Sequence, residues 1–118
     1  MQDYRKLQIY NEAKELTIEI YSLTKYFPKD ELFGVTQQLR RAGISVGANI
    51  AEGDGRISRK DFVRFLHNSL GSLNEIEHLL IMSKELNYIE KNECEKLSAK
   101  ISSIRRMTCQ FVNRLVEA

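Results

Sequence analysis

Apolar residues recur every third or fourth position along almost the whole chain, and the single proline, Pro28, breaks the pattern once. That spacing lays one apolar stripe along an α-helix, and no stretch alternates with the period of two that a half-buried strand needs. Four stripes can be traced. The first is Ile9, Ala13, Leu16, Ile20, Leu23 and Phe27, stopped by Pro28. The second is Leu32, Val35, Leu39, Ala42, Val46 and Ile50, ending at Gly53-Asp54-Gly55, a helix-stop and turn signal. The third runs Phe62, Phe65, Ser69, Leu73, Ile76, Leu80, Ser83 and closes around Asn87; Ser58 followed by Asp61 resembles a capping box at its start. The fourth is Cys94, Leu97, Ile101, Ile104, Thr108, Phe111 and Leu115. Short connections make successive helices antiparallel neighbours. The expected fold is therefore all-α: one antiparallel up-down-up-down four-helix bundle, with its later helices about 42 Å long.

A chain of 118 residues, 42% hydrophobic and 29% charged, suits one domain with its own core and not a disordered polymer. No run approaches the ~18 apolar residues of a membrane span. Met1 to Lys6 has no apolar signal core behind it. A soluble, cytoplasmic protein with no membrane partner is expected. Cys94 and Cys109 fall in one helix, roughly 22 Å apart, too far for a disulfide within one chain.

Catalytic patterns are scarce. His67 and His78 are the only histidines, and with Gly71 and Glu75 they share one helical face. Glu75-x-x-His78 is half of a di-iron bundle motif, but no second Glu-x-x-His exists to complete it. Gly53-Asp54-Gly55-Arg56 lacks the Lys-Ser/Thr of a phosphate-cradling loop. Ser45 and Ser72 have no histidine in a recognisable triad order. Glu12, Glu15 and Glu19 form an acidic ridge that reads as a solvated face. The expectation is a protein that is not an enzyme and carries neither metal nor cofactor.

Two other features stand out. The second helix is rich in small residues: Ala42, Gly43, Ser45, Gly47, Ala48 and Ala51. Glycine inside a helix costs about 1 kcal/mol against alanine, so close approach of another helix is expected, from the same chain or from another subunit. Charge is also segregated. In up-down order one bundle end gathers Arg5, Lys6, Arg56, Arg59, Lys60, Arg64, Arg105, Arg106 and Arg114 against Asp3, Glu52, Asp54, Asp61 and Glu117. Nine basic residues against five acidic leave +4 in a chain whose net charge is +2. Such an end could bind phosphates, with Arg56, Arg59, Lys60, Arg64, Arg105, Arg106 and Arg114 as the contacts.

The block from Gln38 to Gly53, QLRRAGISVGANIAEG, resembles the signature of a bacterial four-helix-bundle family first noticed as products of intervening sequences in 23S ribosomal RNA genes. The match extends through Gly55-Arg56, Asp61-Phe62, Phe65-Leu66 and Gly71-Ser72-Leu73 with Glu75, and upstream through Tyr21, Phe27-Pro28, Glu31 and Phe33-Gly34. The resemblance implies a ring-like homopentamer. A related branch, the accessory proteins of diversity-generating retroelements, implies nucleic acid and a reverse transcriptase as partners. Gly43 and Gly47 stand where relatives often carry alanine and proline, and a net charge of +2 is modest beside that basic branch. Two functions follow as expectations. One is an oligomeric accessory protein binding RNA or DNA through its basic ends. The other is a protein-binding or scaffolding ring with no nucleic-acid role.

Overall fold

The computed structural model describes residues 3–118. Four helices account for most of them: α1 (Gln8–Thr24), α2 (Val35–Asp54), α3 (Arg59–Glu85) and α4 (Lys91–Glu117). Short 3-10 turns, Tyr4–Lys6 and Lys29–Glu31, precede α1 and α2. No strand occurs among the described residues. The helices pack α1 on α2, α2 on α3, α3 on α4 and α4 back on α1. The resulting body is elongated, 45 × 23 × 20 Å.

The apolar stripes face inward. Ile9, Ala13, Leu16 and Ile20 of α1 meet Leu39, Ala42, Val46 and Ile50 of α2 in one core with Leu73, Ile76 and Leu80 of α3 and Ile101 and Ile104 of α4. Three buried hydroxyls are satisfied by their own helices or the next one, whereas that of Thr36 meets no partner among the described residues. Thr108 and Ser83 donate to the carbonyls four residues back at 2.7 Å, and Ser69 donates across to the Val46 carbonyl at 2.9 Å.

The ends follow local chemistry. Ser58 Oγ accepts the Asp61 N–H at 3.1 Å, which is half of the expected capping box. A capping box closes at α4 instead, where Glu93 Oε1 accepts the Glu90 N–H at 2.9 Å. α3 stops at Asn87, whose φ of 65° lies in the left-handed region that asparagine tolerates. The Tyr88 N–H then reaches the Ser83 carbonyl at 2.8 Å and the Asn87 N–H reaches Lys84 at 2.9 Å, a Schellman closure.

Two boundaries differ from the sequence reading. Leu32 is not part of α2: it sits in the turn before it, 50% exposed. Phe27 lies past the end of α1 at Thr24, buried in the connection. α2 ends as expected within Gly53-Asp54-Gly55, at Asp54 with a Gly55 cap of ordinary φ, −78°, and Gly53 is buried in its last turn. Gly53 is there for space. An added Cβ would stand 2.8 Å from Phe62 Cδ1 and 2.9 Å from Phe65 Cβ, closer than side-chain atoms tolerate.

Candidate interaction surfaces

At the end of the bundle where α2 turns into α3, Phe65 is a platform. The Arg56 guanidinium lies 4.7 Å and the Arg64 guanidinium 4.6 Å from its ring centroid. Each also meets a carboxylate on its own helix or turn, Arg56 with Glu52 at 3.0 Å and Arg64 with Asp61 at 3.7 Å. Arg114, on the last turn of α4, lies 5.6 Å over Phe111. Cation–aromatic contacts of this kind fix a guanidinium's position, while the adjacent carboxylates offset part of its charge. Arg59, Lys60 and Arg114 carry no ion pair among the described residues. Arg59 and Lys60 border a shallow cleft with Val63, Leu115 and Val116, so the start of α3 lies beside the end of α4.

Arg105 and Arg106 lie elsewhere. Arg105 donates to Asn74 Oδ1 at 2.9 Å and Glu77 Oε1 at 3.1 Å, mid-way along α3. It stands twelve residues before Glu117, roughly 18 Å back along α4. Arg106 is its exposed neighbour. Grouping both with the end overlooked the length of α4. Arg5, too, is engaged, with Asp3 at 2.9 Å, which holds the Asp3 carboxyl below its ordinary range.

Beside this end a carboxyl is buried. Asp54, 4% exposed, closes α2 at the negative pole of its dipole. Burial is the largest influence and pushes its pKa up, with Asp3 nearby adding a smaller push in the same direction.

The small residues of α2 divide into two groups. Ala42, Gly43 and Ser45 serve the bundle itself. Thr17 Oγ1 donates to the Gly43 carbonyl at 2.8 Å, and an added Cβ on Gly43 would meet Ile20 Cδ1 at 3.3 Å. Ser72 Oγ donates to Ser45 Oγ at 3.0 Å, and Asn49 donates to the Ser45 carbonyl at 2.9 Å. Gly47, Ala48 and Ala51 instead line an open groove of about 320 Å³ between α1 and α2. Ile18 and Ile44, 60% and 52% exposed, flank it. Tyr4 and Tyr10 close one end, their rings edge to face at 5.0 Å.

Lys100 of α4 reaches Glu15 at 3.7 Å and Glu19 at 3.4 Å, so the acidic ridge helps close the α1–α4 seam. His67, Gly71, Glu75 and His78 are exposed on α3. No group of three or more His, Cys, Asp or Glu side chains that could hold a metal ion occurs among the described residues. Cys94 is buried and Cys109 exposed, both free thiols. No helix is long and apolar enough to cross a membrane.

Residues 5–110 match the family model described as 23S rRNA-intervening sequence protein. The chain belongs to that family. A similar solved structure is the crystal structure of a protein of unknown function from the S23 ribosomal protein family of Bacteroides thetaiotaomicron. It superposes with a TM-score of 0.79 at 25% identity, over 88% of this chain and 97% of that one. A search of curated proteins gives no match. The family membership agrees with the resemblance carried by the block from Gln38 to Gly53.

Proposed function

We propose that this chain is a non-enzymatic accessory or scaffolding protein that works as a homo-oligomer, with the α1–α2 groove as its assembly surface. One observation carries the reading: Ile18 and Ile44 stand more than half exposed on either side of a groove floored by Gly47, Ala48 and Ala51. Two large aliphatic side chains beside a floor without bulk form a surface that another helix can approach closely. The chain's inner hydroxyls are meanwhile committed to packing, as the Thr17, Ser69 and Ser72 bonds show. An up-down-up-down order is part of this proposal. It is supported by pairs in which the residue number rises on one helix as it falls on the next: Thr17 with Gly43 and Thr24 with Arg40, Ser69 with Val46 and Ser72 with Ser45, Cys94 with Leu80 and Arg105 with Glu77. The family resemblance supplies the number of subunits, five. Light scattering on the eluting protein is then expected to give five times 13.7 kDa, and a monomer persisting at micromolar concentration overturns the assembly.

Binding of RNA or DNA is a second reading, favoured by Arg59, Lys60 and Arg114 lying exposed and unpaired among the described residues. Contacts of this kind neutralise phosphates without reading sequence, each adding about 0.9 to the log–log salt slope on duplex DNA. Reversal of Arg59 and Lys60 to glutamate is expected to abolish such binding, and reversal of Lys25 and Lys29 to leave it intact. Equal losses contradict this reading. A reverse transcriptase gene beside this one would mark the accessory role; its absence would favour the scaffold.

A further inference from the structure

The end of the bundle that carries the free cations also carries apolar side chains that none of the described residues covers. Ile57, at the tip of the turn between α2 and α3, is fully exposed, and Val116 on α4 is 67% exposed. Two residues beyond Ile57 begins a shallow cleft lined by Arg59, Lys60, Val63, Leu115, Val116 and Ala118. We infer that this cleft is a docking site for an acidic peptide segment with aliphatic anchors, supplied by a partner protein. This rests on the scaffolding reading and names the chemistry of the partner.

Charge complementarity selects the occupant. Arg59 and Lys60 have no carboxylate within ion-pair distance among the described residues, whereas Arg56 and Arg64 in the same region have one each. Two uncompensated cations at the rim of an apolar floor favour a ligand that brings carboxylates and aliphatic groups together. A nucleic acid fits less well. Single strands gain affinity by stacking bases on exposed rings, but no ring lines this cleft and the two rings beneath the nearby arginines are covered. Phe65 is 7% exposed beneath Arg56 and Arg64, and Phe111 is 8% exposed with Arg114 over it. A phosphate backbone, for its part, has no use for Ile57 or Val116. An acidic peptide uses both features at once: carboxylates on Arg59 and Lys60, side chains against Val63, Leu115 and Val116.

The test uses the full chain and three fluorescent probes: a synthetic peptide of mixed glutamate and leucine, an all-glutamate peptide of equal length, and a duplex DNA. The mixed peptide is expected to bind about tenfold more tightly than the all-glutamate one, the gain that burying one aliphatic side chain gives. Ile57→Ser and Val116→Ser, both at exposed positions that leave the fold alone, are each expected to weaken the mixed peptide several-fold without changing the all-glutamate one. Reversal of Arg59 and Lys60 to glutamate is expected to abolish binding of both. Equal affinity for the two peptides, DNA binding that exceeds the mixed peptide and ignores Ile57→Ser, or no binding of the mixed peptide at about 50 mM salt each overturns the inference. One chain supplies the whole cleft, so the subunit number found by light scattering bears on the assembly and the peptide titration on the cleft.

Discussion

Gly53 of α2 lies directly against Phe62 of α3, with room for a hydrogen and not for a methyl group. An added Cβ would sit 2.8 Å from Phe62 Cδ1 and 2.9 Å from Phe65 Cβ, and the second of these is anchored to the backbone of α3 and cannot swing aside. Gly53→Ala is therefore expected to cost about 1–3 kcal/mol through overpacking. Gly71→Ala is the opposite case. Its added methyl meets nothing within 4 Å, so the change is expected to stabilise by about 0.5–1 kcal/mol by removing glycine from an exposed helix interior. Urea unfolding of the two variants checks both signs, and a Gly53→Ala chain as stable as the parent contradicts the close packing of α2 on α3.

Asp54 makes stability depend on pH in a definite direction. Burial raises the folded-state pKa of its carboxyl above the unfolded value, so the folded chain holds this proton to higher pH than the unfolded chain does. Unfolding then releases a proton between the two pKa values, and this group's contribution falls as pH rises through that window, from about 4 upward. Asp54→Asn keeps the side chain's size and removes the buried charge. At pH 7 it is expected to be at least as stable as the parent, with the difference shrinking as pH falls toward 4. Thermal melts across that range check it; a variant destabilised at pH 7 and equal at pH 4 contradicts it.

A bond joins the two connections at the other end of the bundle. Tyr88 Oη donates to Glu31 Oε2 at 2.7 Å, and the Tyr88 ring packs 5.4 Å from that of Phe27. The hydrogen bond to Glu31 holds the Tyr88 phenol above its ordinary pKa. Tyr88→Phe keeps the ring contact and removes the bond, and is expected to lower the denaturant midpoint. Denaturant midpoints at neutral pH measure this, and an unchanged midpoint would show that Glu31 gains nothing from the phenol.

Much of the fold was legible because buried positions on helices impose a period that sequence displays. Every stripe residue of α3 is buried, and of α4 all but Leu115, which is half-buried. Less legible is a residue that serves two purposes. Gly53-Asp54-Gly55 marks the end of α2, but Gly53 also admits Phe62 and Phe65, partners that only the packed bundle brings near. The basic end was read too generously for a related reason. Counting Arg105 and Arg106 with Arg114 ignores the 1.5 Å rise per residue that sets Arg105 beside Glu77. The stacking of Arg56 and Arg64 on Phe65 was missed altogether, although Phe65 follows Arg64 directly and lies nine residues from Arg56. An aromatic residue flanked by arginines near a turn was the available signal.

Assembly through the α1–α2 groove is the central claim, and sedimentation equilibrium of the parent chain beside Ile44→Asp tests it most directly. Ile44 is 52% exposed, so the aspartate is accommodated by the isolated bundle but places a charge in the proposed contact, a change that costs several kcal/mol when its desolvation is unpaired. The expected result is a parent mass of five times 13.7 kDa, with the variant reduced to single chains of unchanged helical content. A parent that sediments as one chain, or a variant that keeps the parent's mass, contradicts the claim.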